Sequence, residues 1–198
     1  MNSYSYPWKN LLEQLSKKLI ANRQETDRWI LTEEMLQSQW LGFDGASEEQ
    51  IQQLEKRLGR VLPPSYRQFL SISNGWRNSD WTDLELHSID KIAWLKDSNP
   101  GWIWPVETDE RPSIPDEEYF VYDIEQDCVN IRCEYLENAL EISSESGDGD
   151  IFLLIPDVVF ENGEWEAWHM GSKLPGANRY RSFYELMEIV LEQGAFIF

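Results

Sequence analysis

The sequence contains little cysteine and histidine, which supply most ligands of zinc sites. Of its 198 residues, two are cysteines and two are histidines. Cys128 and Cys133 are too few for a zinc site, which takes about four nitrogen or sulfur ligands, or for a secreted disulfide framework. His87 and His169 belong to no HExxH or Cys-His pattern, and no GxSxG, P-loop or GxGxxG motif is present. We therefore expect free thiols, no metal, no cofactor and no enzymatic activity.

Long apolar runs are also missing. The longest one, residues 151–156, is far shorter than the ~20 residues that a membrane helix requires. Residues 1–20 include Pro7 and several charged side chains, so they contain no apolar core of a signal peptide. Together with the free thiols, this predicts a cytoplasmic protein that does not bind membranes.

Positive charge is scarce: 17 Lys and Arg stand against 36 Asp and Glu, a formal net charge of −19. The excess is local, because residues 1–75 hold nine residues of each sign whereas residues 107–150 hold fifteen acids and two bases. Nucleic-acid binding depends on Lys and Arg that displace counterions from phosphates, so direct binding is not expected. The same field would attract a basic protein.

The first half of the chain is rich in helix signals. Residues 8–20 place leucines at helical spacing, and Thr32 is positioned to cap a weaker helical run over 32–40. The SEEQ sequence at 47–50 is a capping box for a helix that Gly59 ends. The prolines of 62–64 then start another helix, which continues to the Asn-Gly pair at 74–75. These signals predict four helices before residue 76.

The second half changes to strand signals. Residues 119–124, 139–142 and 150–155 are rich in strand-forming side chains, and the Asn-Gly pair at 162–163 predicts a hairpin between 158–160 and 164–170. A second capping box, SFYE at 182–185, predicts a closing helix. Helices followed by consecutive short strands indicate an α+β domain with a largely antiparallel sheet.

A run of short motifs resembles the opening signature of the SUKH superfamily. These motifs are GASEEQI at 45–51, LE at 54–55, LG at 58–59, LPPSYRQFL at 62–70 and SNG at 73–75. Later segments are similar to the superfamily's Gly/Asp turn, late strand and closing helix: SGDGDIF at 146–152, EWEAWHMG at 164–171 and RSFYEL at 181–186. The resemblance divides the chain into an N-terminal helical extension, 1–40, and a SUKH-like domain, 41–198, with an acidic, Trp- and Pro-rich insertion at about 97–117.

The resemblance implies a fold and two possible roles. The fold is α+β, with about six strands flanked by helices. The superfamily includes bacterial immunity proteins, which bind a cognate toxin domain, often a nuclease, and block it. It also includes the fungal Smi/Knr cell-wall assembly regulators, which would instead imply a regulatory or scaffold module. A basic toxin domain is the partner that the acidic field favours.

The candidate partner-binding residues lie in and beside the insertion, where tryptophan and acids alternate with proline. They are Trp102, Trp104, Glu107, Asp109, Glu110, Asp116, Glu117 and Glu118. Tryptophan is favoured at binding hot spots but equally in cores, and charge runs are mostly solvated surface, so both alternatives stay open. Paired acids such as Glu161 with Glu164, or Asp148 with Asp150, would be needed for a glycosidase, but chance alone produces such pairs in so acidic a chain.

Overall fold

The computed structural model describes residues 5–22, 31–77, 85–103, 113–147 and 149–193. Within these ranges the chain forms α-helices and an antiparallel sheet. The helices are α1 (Trp8–Asn22), α2 (Glu33–Ser38), α3 (Glu48–Leu58), α4 (Pro64–Ile72), α5 (Leu95–Ser98), α6 (Asp116–Tyr119) and α7 (Phe183–Gln193). The strands are β1 (Ala93–Trp94), β2 (Leu140–Glu141), β3 (Asp150–Val159), β4 (Trp165–Gly171) and β5 (Ala177–Tyr180). No helix in these ranges is long and apolar enough to cross a membrane.

The predicted α+β class is confirmed. The strands pair in the order β1-β2-β3-β4-β5, and each neighbouring pair is antiparallel. The described residues thus form five strands, against the predicted six or so. One reason is that 150–155 and most of 158–160 belong to one strand, β3, which ends at Val159 and whose register with β4 shifts between Ile155 and Val159. The predicted Asn-Gly hairpin joins β3 to β4, with Gly163 at a φ of 84°.

The predicted strand over 119–124 is wrong. Helix α6 ends at Tyr119, and residues Asp123–Glu125 form a 3-10 turn. Asp123 has a φ of +62°, which a strand does not allow. The tyrosines that suggested a strand instead direct their hydroxyl groups to Glu166, a buried carboxylate on β4.

The helix ends agree well with their sequence signals. Ser47 and Gln50 form the predicted capping box at the start of α3, and Gly59 ends that helix with a φ of 68°. Thr32 accepts a hydrogen bond from the amide of Met35 and so caps α2. At α7 the amide of Glu185 donates to the Ser182 hydroxyl as predicted. The Glu185 carboxylate accepts a hydrogen bond from the amide of Arg181, the residue before Ser182.

The sheet separates two hydrophobic cores. Phe152 and Leu154 face the larger one, which is built with α1, α3, α4 and α7. Ile151 and Leu153 face the smaller one, which is closed by residues between 95 and 139. Strand β3 is therefore buried on both faces, which explains why its sequence is a continuous apolar run rather than an alternating one.

The predicted boundary at residue 40 between extension and domain stays a prediction. In the structure, helix α1 contributes Trp8 and four leucines, among them Leu12 and Leu15, to the larger core. The Trp8 indole also donates to the Ser65 carbonyl at the start of α4, at 2.9 Å. This helix consequently packs as part of the same hydrophobic layer as α4 and α7.

A buried carboxylate ties the start of α4 to the N-terminal segment. Glu164 accepts hydrogen bonds from the Ser65 amide at 2.7 Å, the Ser65 hydroxyl at 2.6 Å and the Tyr6 hydroxyl at 2.8 Å. A negative charge is favourable at a helix N-terminus, where backbone N–H groups have no partner within the helix. Glu164 therefore serves as the side-chain cap of α4, whose own N-cap residue is Pro63.

Replacing Glu164 by Ala should lower the free energy of unfolding by about 2–4 kcal/mol, since buried donors lose a charged acceptor. Urea denaturation followed by circular dichroism measures this change. Glu161→Ala provides the matched control, because Glu161 is exposed in the same turn and its loss should cost less than about 0.5 kcal/mol. Equal effects of the two variants would contradict a capping role for Glu164.

Candidate functional site

The segment of residues 119–129, here called the edge segment, runs beside the outer edge of β5. The Ala177 amide donates to the Cys128 carbonyl at 2.9 Å. Gln126 exchanges two hydrogen bonds with the backbone of Arg179, accepting from its amide at 2.7 Å and donating to its carbonyl at 3.2 Å. The edge segment thus covers backbone groups of β5 that would otherwise remain open for pairing with another chain.

Arg179, a fully buried residue of β5, holds the beginning of the edge segment. Its guanidinium donates to the backbone carbonyl of Tyr119 and, at 3.1 Å, to that of Val121. The same group lies over the Tyr119 ring, 4.5 Å from the ring centroid. Because residues 120–122 form no strand, these charged donors supply partners that a sheet would otherwise provide.

Glu166 on β4 is the acidic counterpart of Arg179, and the two side chains approach to 3.7 Å. Its carboxylate accepts hydrogen bonds from the hydroxyl groups of Tyr119 and Tyr122, the latter at 2.7 Å, and from the Trp168 indole at 2.6 Å. Burial raises the pKa of Glu166, while these donors act in the opposite direction. Burial and the neighbouring carboxylate also raise the pKa of both tyrosines, so their hydroxyl groups remain donors.

The outer side of the edge segment combines apolar and acidic side chains. Phe120 is 44% exposed, Val129 is 47% exposed and Ile124 is 99% exposed. The intervening acids Asp123, Glu125 and Asp127 are exposed as well. Exposed apolar side chains framed by polar ones are typical of protein-binding surfaces, although single exposed apolar residues are common.

The sequence-predicted site residues fall into three groups. Asp116, Glu117 and Glu118 form the exposed first turn of α6, directly before the edge segment, and Asp116 pairs with Arg132 at 2.5 Å. Trp102 is half-buried against the smaller core and donates to Glu145 at 3.0 Å, so it is not an exposed loop residue. The remaining four lie outside the described residues: Trp104, Glu107, Asp109 and Glu110.

Phe120, Ile124 and Val129 were not predicted as surface residues from the sequence. Phe120 and Ile124 belong to the run that was predicted to be a strand, in which alternating apolar residues should face the core. The signal that could have found them is the dense alternation of these residues with acids, since a buried strand would not accommodate so many uncompensated charges.

The acid pairs that a glycosidase would need have other roles where the structure describes them. Glu164 caps α4 from a fully buried position, while its possible partner Glu161 is exposed. Asp150 accepts a hydrogen bond from the Ser146 hydroxyl and lies 3.4 Å from His169, and the bond to His169 lowers the pKa of Asp150. Asp148 lies outside the described residues. In the described ranges, no group of three or more His, Cys, Asp or Glu side chains is arranged to hold a metal ion.

Comparison with known proteins identifies one family. The family model described as SMI1 / KNR4 family (SUKH-1) matches residues 45–189. This range includes α3 and α4, the whole sheet, the edge segment and most of α7. No curated protein matches the chain. The match confirms the resemblance drawn from the motifs and supports a protein-interaction or immunity-type domain.

Replacing Arg179 by Met should lower the free energy of unfolding by about 3–5 kcal/mol, because Glu166 would stay buried without a cation. The backbone amides of the edge segment should also exchange hydrogen faster, since its carbonyl groups lose their donors. Urea denaturation and hydrogen exchange measure the two effects.

Arg181→Met is the matched control for this substitution. Arg181 pairs with Asp123 at 3.0 Å on the surface, where an ion pair contributes less than about 1 kcal/mol. If Arg179→Met were no more destabilising than Arg181→Met, the buried pair would not be what holds the edge segment in place.

Proposed function

Because the chain belongs to the SMI1 / KNR4 family (SUKH-1), we propose that it is a non-catalytic immunity protein that binds and neutralises a cognate bacterial toxin domain, such as a nuclease. The observation that carries the proposal is the outer surface of α6 and the edge segment. There, exposed acids surround three exposed apolar side chains in a segment that buried residues hold in place.

The charge of this surface suits a basic partner. A nuclease must attract phosphate, so its own site carries positive charge, and an acidic inhibitor is drawn to it. Binding there would block access of the substrate. The same negative field disfavours direct contact of this chain with nucleic acid or with an anionic membrane. We therefore propose a protein partner in the cytoplasm, where nuclease substrates are present.

A regulatory or scaffold role of the Smi/Knr type is the second candidate. The family match supports this role as much as the immunity role, because the family is named for the SMI1 and KNR4 proteins. The surface of the edge segment would then bind a cellular protein rather than a toxin. The neighbouring genes distinguish the two roles: a toxin gene beside the chain's gene favours immunity, and a neighbourhood without one favours regulation.

Supplying this chain should restore growth to cells that express the toxin domain encoded beside its gene. The two proteins should also purify as a complex. Plating efficiency with and without the chain measures protection. An unrelated SUKH protein, supplied as a control, should give no protection. Unchanged killing in the presence of the folded chain would contradict the immunity role.

Neutralising the six acidic residues of the predicted site should slow association with the toxin domain about tenfold at low salt, because steering of a basic partner would be lost. The substitutions are Glu107→Gln, Asp109→Asn, Glu110→Gln, Asp116→Asn, Glu117→Gln and Glu118→Gln. Stopped-flow or surface-plasmon measurements at several salt concentrations give the rate.

A control variant should lose the same number of charges at exposed positions outside this region. Suitable substitutions are Glu33→Gln, Glu34→Gln, Asp44→Asn, Glu49→Gln, Asp90→Asn and Glu192→Gln. Charges farther than a Debye length, ~10 Å at 0.1 M salt, from the interface should affect the rate much less. Equal rates for the two variants would show that net charge, and not this surface, sets the association rate.

A further inference from the structure

We propose that Ile124 is an apolar anchor, which inserts into an apolar pocket ringed by Lys and Arg on a basic protein partner. This inference rests on the proposed protein-binding function and specifies the residue and the partner chemistry. It is carried by the exposure of Ile124, by the residues that fix its position and by the charges that surround it.

The exposure of Ile124 is extreme for an isoleucine. The side chain is 99% exposed, whereas Phe120 and Val129, the other apolar side chains on the outer surface of the edge segment, are about half exposed. Because the entire isoleucine side chain contacts water, folding gains no transfer free energy from it. Burial of this side chain in a partner would gain that free energy. The edge segment contacts β5 through other residues, so the structure does not need an apolar side chain at this position.

Contacts on both sides fix the position of Ile124. Two residues before it, Tyr122 is buried and donates to Glu166 at 2.7 Å; two residues after it, Gln126 is bonded twice to the backbone of Arg179. Arg181 binds Asp123 at 3.0 Å and lies over the Tyr122 ring, 4.6 Å from its centroid. An anchor held in place before binding loses little conformational entropy when it docks.

The backbone conformation next to Ile124 also supports its role as an anchor. Asp123 has a φ of +62°, one of two positive values among the described residues other than glycine. Left-handed backbone is costly for a residue with a side chain, and here the turn it creates leaves Ile124 at the tip of the 3-10 turn Asp123–Glu125. The ion pair with Arg181 offsets part of that cost.

The charges around Ile124 indicate the chemistry of the partner that would bind it. Asp123 and Glu125 flank Ile124, and both are exposed. Arg181 already pairs with Asp123, but an apolar or acidic rim on the partner would desolvate the Glu125 carboxylate without supplying a cation, so the pocket for Ile124 must bring cations to its rim. A second copy of this chain, with its net charge of −19, would be repelled, and so would an anionic lipid surface.

A photo-crosslinking amino acid placed at position 124 of the full chain tests the proposal in the cells that encode it. Matched control positions are Val61 and Val159, which are 71% and 57% exposed and lie outside the edge segment. We expect a covalent adduct with a basic protein at position 124 and none at the two controls. The captured protein is then purified, and its affinity is measured for the wild-type chain, Ile124→Ser and Val61→Ser.

The expected result is a loss of affinity of at least about tenfold for Ile124→Ser, with Val61→Ser within about twofold of wild type. An adduct at 61 or 159 without one at 124, or binding by Ile124→Ser at wild-type strength, would overturn the anchor and leave the protein-binding function standing. An acidic partner would overturn the proposed partner chemistry. Absence of an adduct at all three positions would count against both the anchor and the protein-binding function.

Discussion

The buried pair of Glu166 and Arg179 is the interaction on which the edge segment, on the side of the smaller core, depends. Removing two charges from water costs several kcal/mol per ion, and their mutual attraction rarely repays this alone. Here the surrounding donors and acceptors make up the difference: two tyrosine hydroxyl groups and an indole bind Glu166, and two backbone carbonyl groups bind the guanidinium. An apolar pair of the same volume would fill the space but would not bind the backbone of an irregular segment. The charges therefore determine the path of the chain as much as they stabilise it.

A second acid, Glu164, has the corresponding role for the helical layer. It lies two residues before Glu166 and is equally buried, yet it binds the start of α4 and the Tyr6 hydroxyl rather than the edge segment. One acid just before β4 and one within it thus attach two structural layers, the helical layer through Glu164 and the edge segment through Glu166. This arrangement explains why a chain with so few basic residues can bury carboxylates: backbone amides and hydroxyl groups supply most of the donors.

How much of the structure the sequence predicts depends on how local each determinant is. The caps of α3 and the Asn-Gly hairpin were predicted because residues within a few positions of one another decide them. The edge segment was not, because Tyr122 takes its conformation from a carboxylate 44 positions away. Its aromatic residues have high strand propensity, and tertiary contacts overrode that preference.

For the site, composition alone located the acidic region, and part of it lies outside the described residues. The exposure of Ile124 required the structure, because the local signal, the acids on either side of it, was outweighed by the strand propensity of residues 119–124.

The division of labour between buried and exposed residues bears on how this surface can specify a partner. The buried groups that fix the edge segment are Glu166, Arg179 and the inward-facing tyrosines, and none of them belongs to the outer surface. Substitutions among the outward acids and apolar residues should therefore alter partner contacts while changing folding stability little. Mutual repulsion among the acids is a cost to the fold that the buried network has to offset. The specificity of such a surface can therefore change without disturbing the contacts that hold it in place.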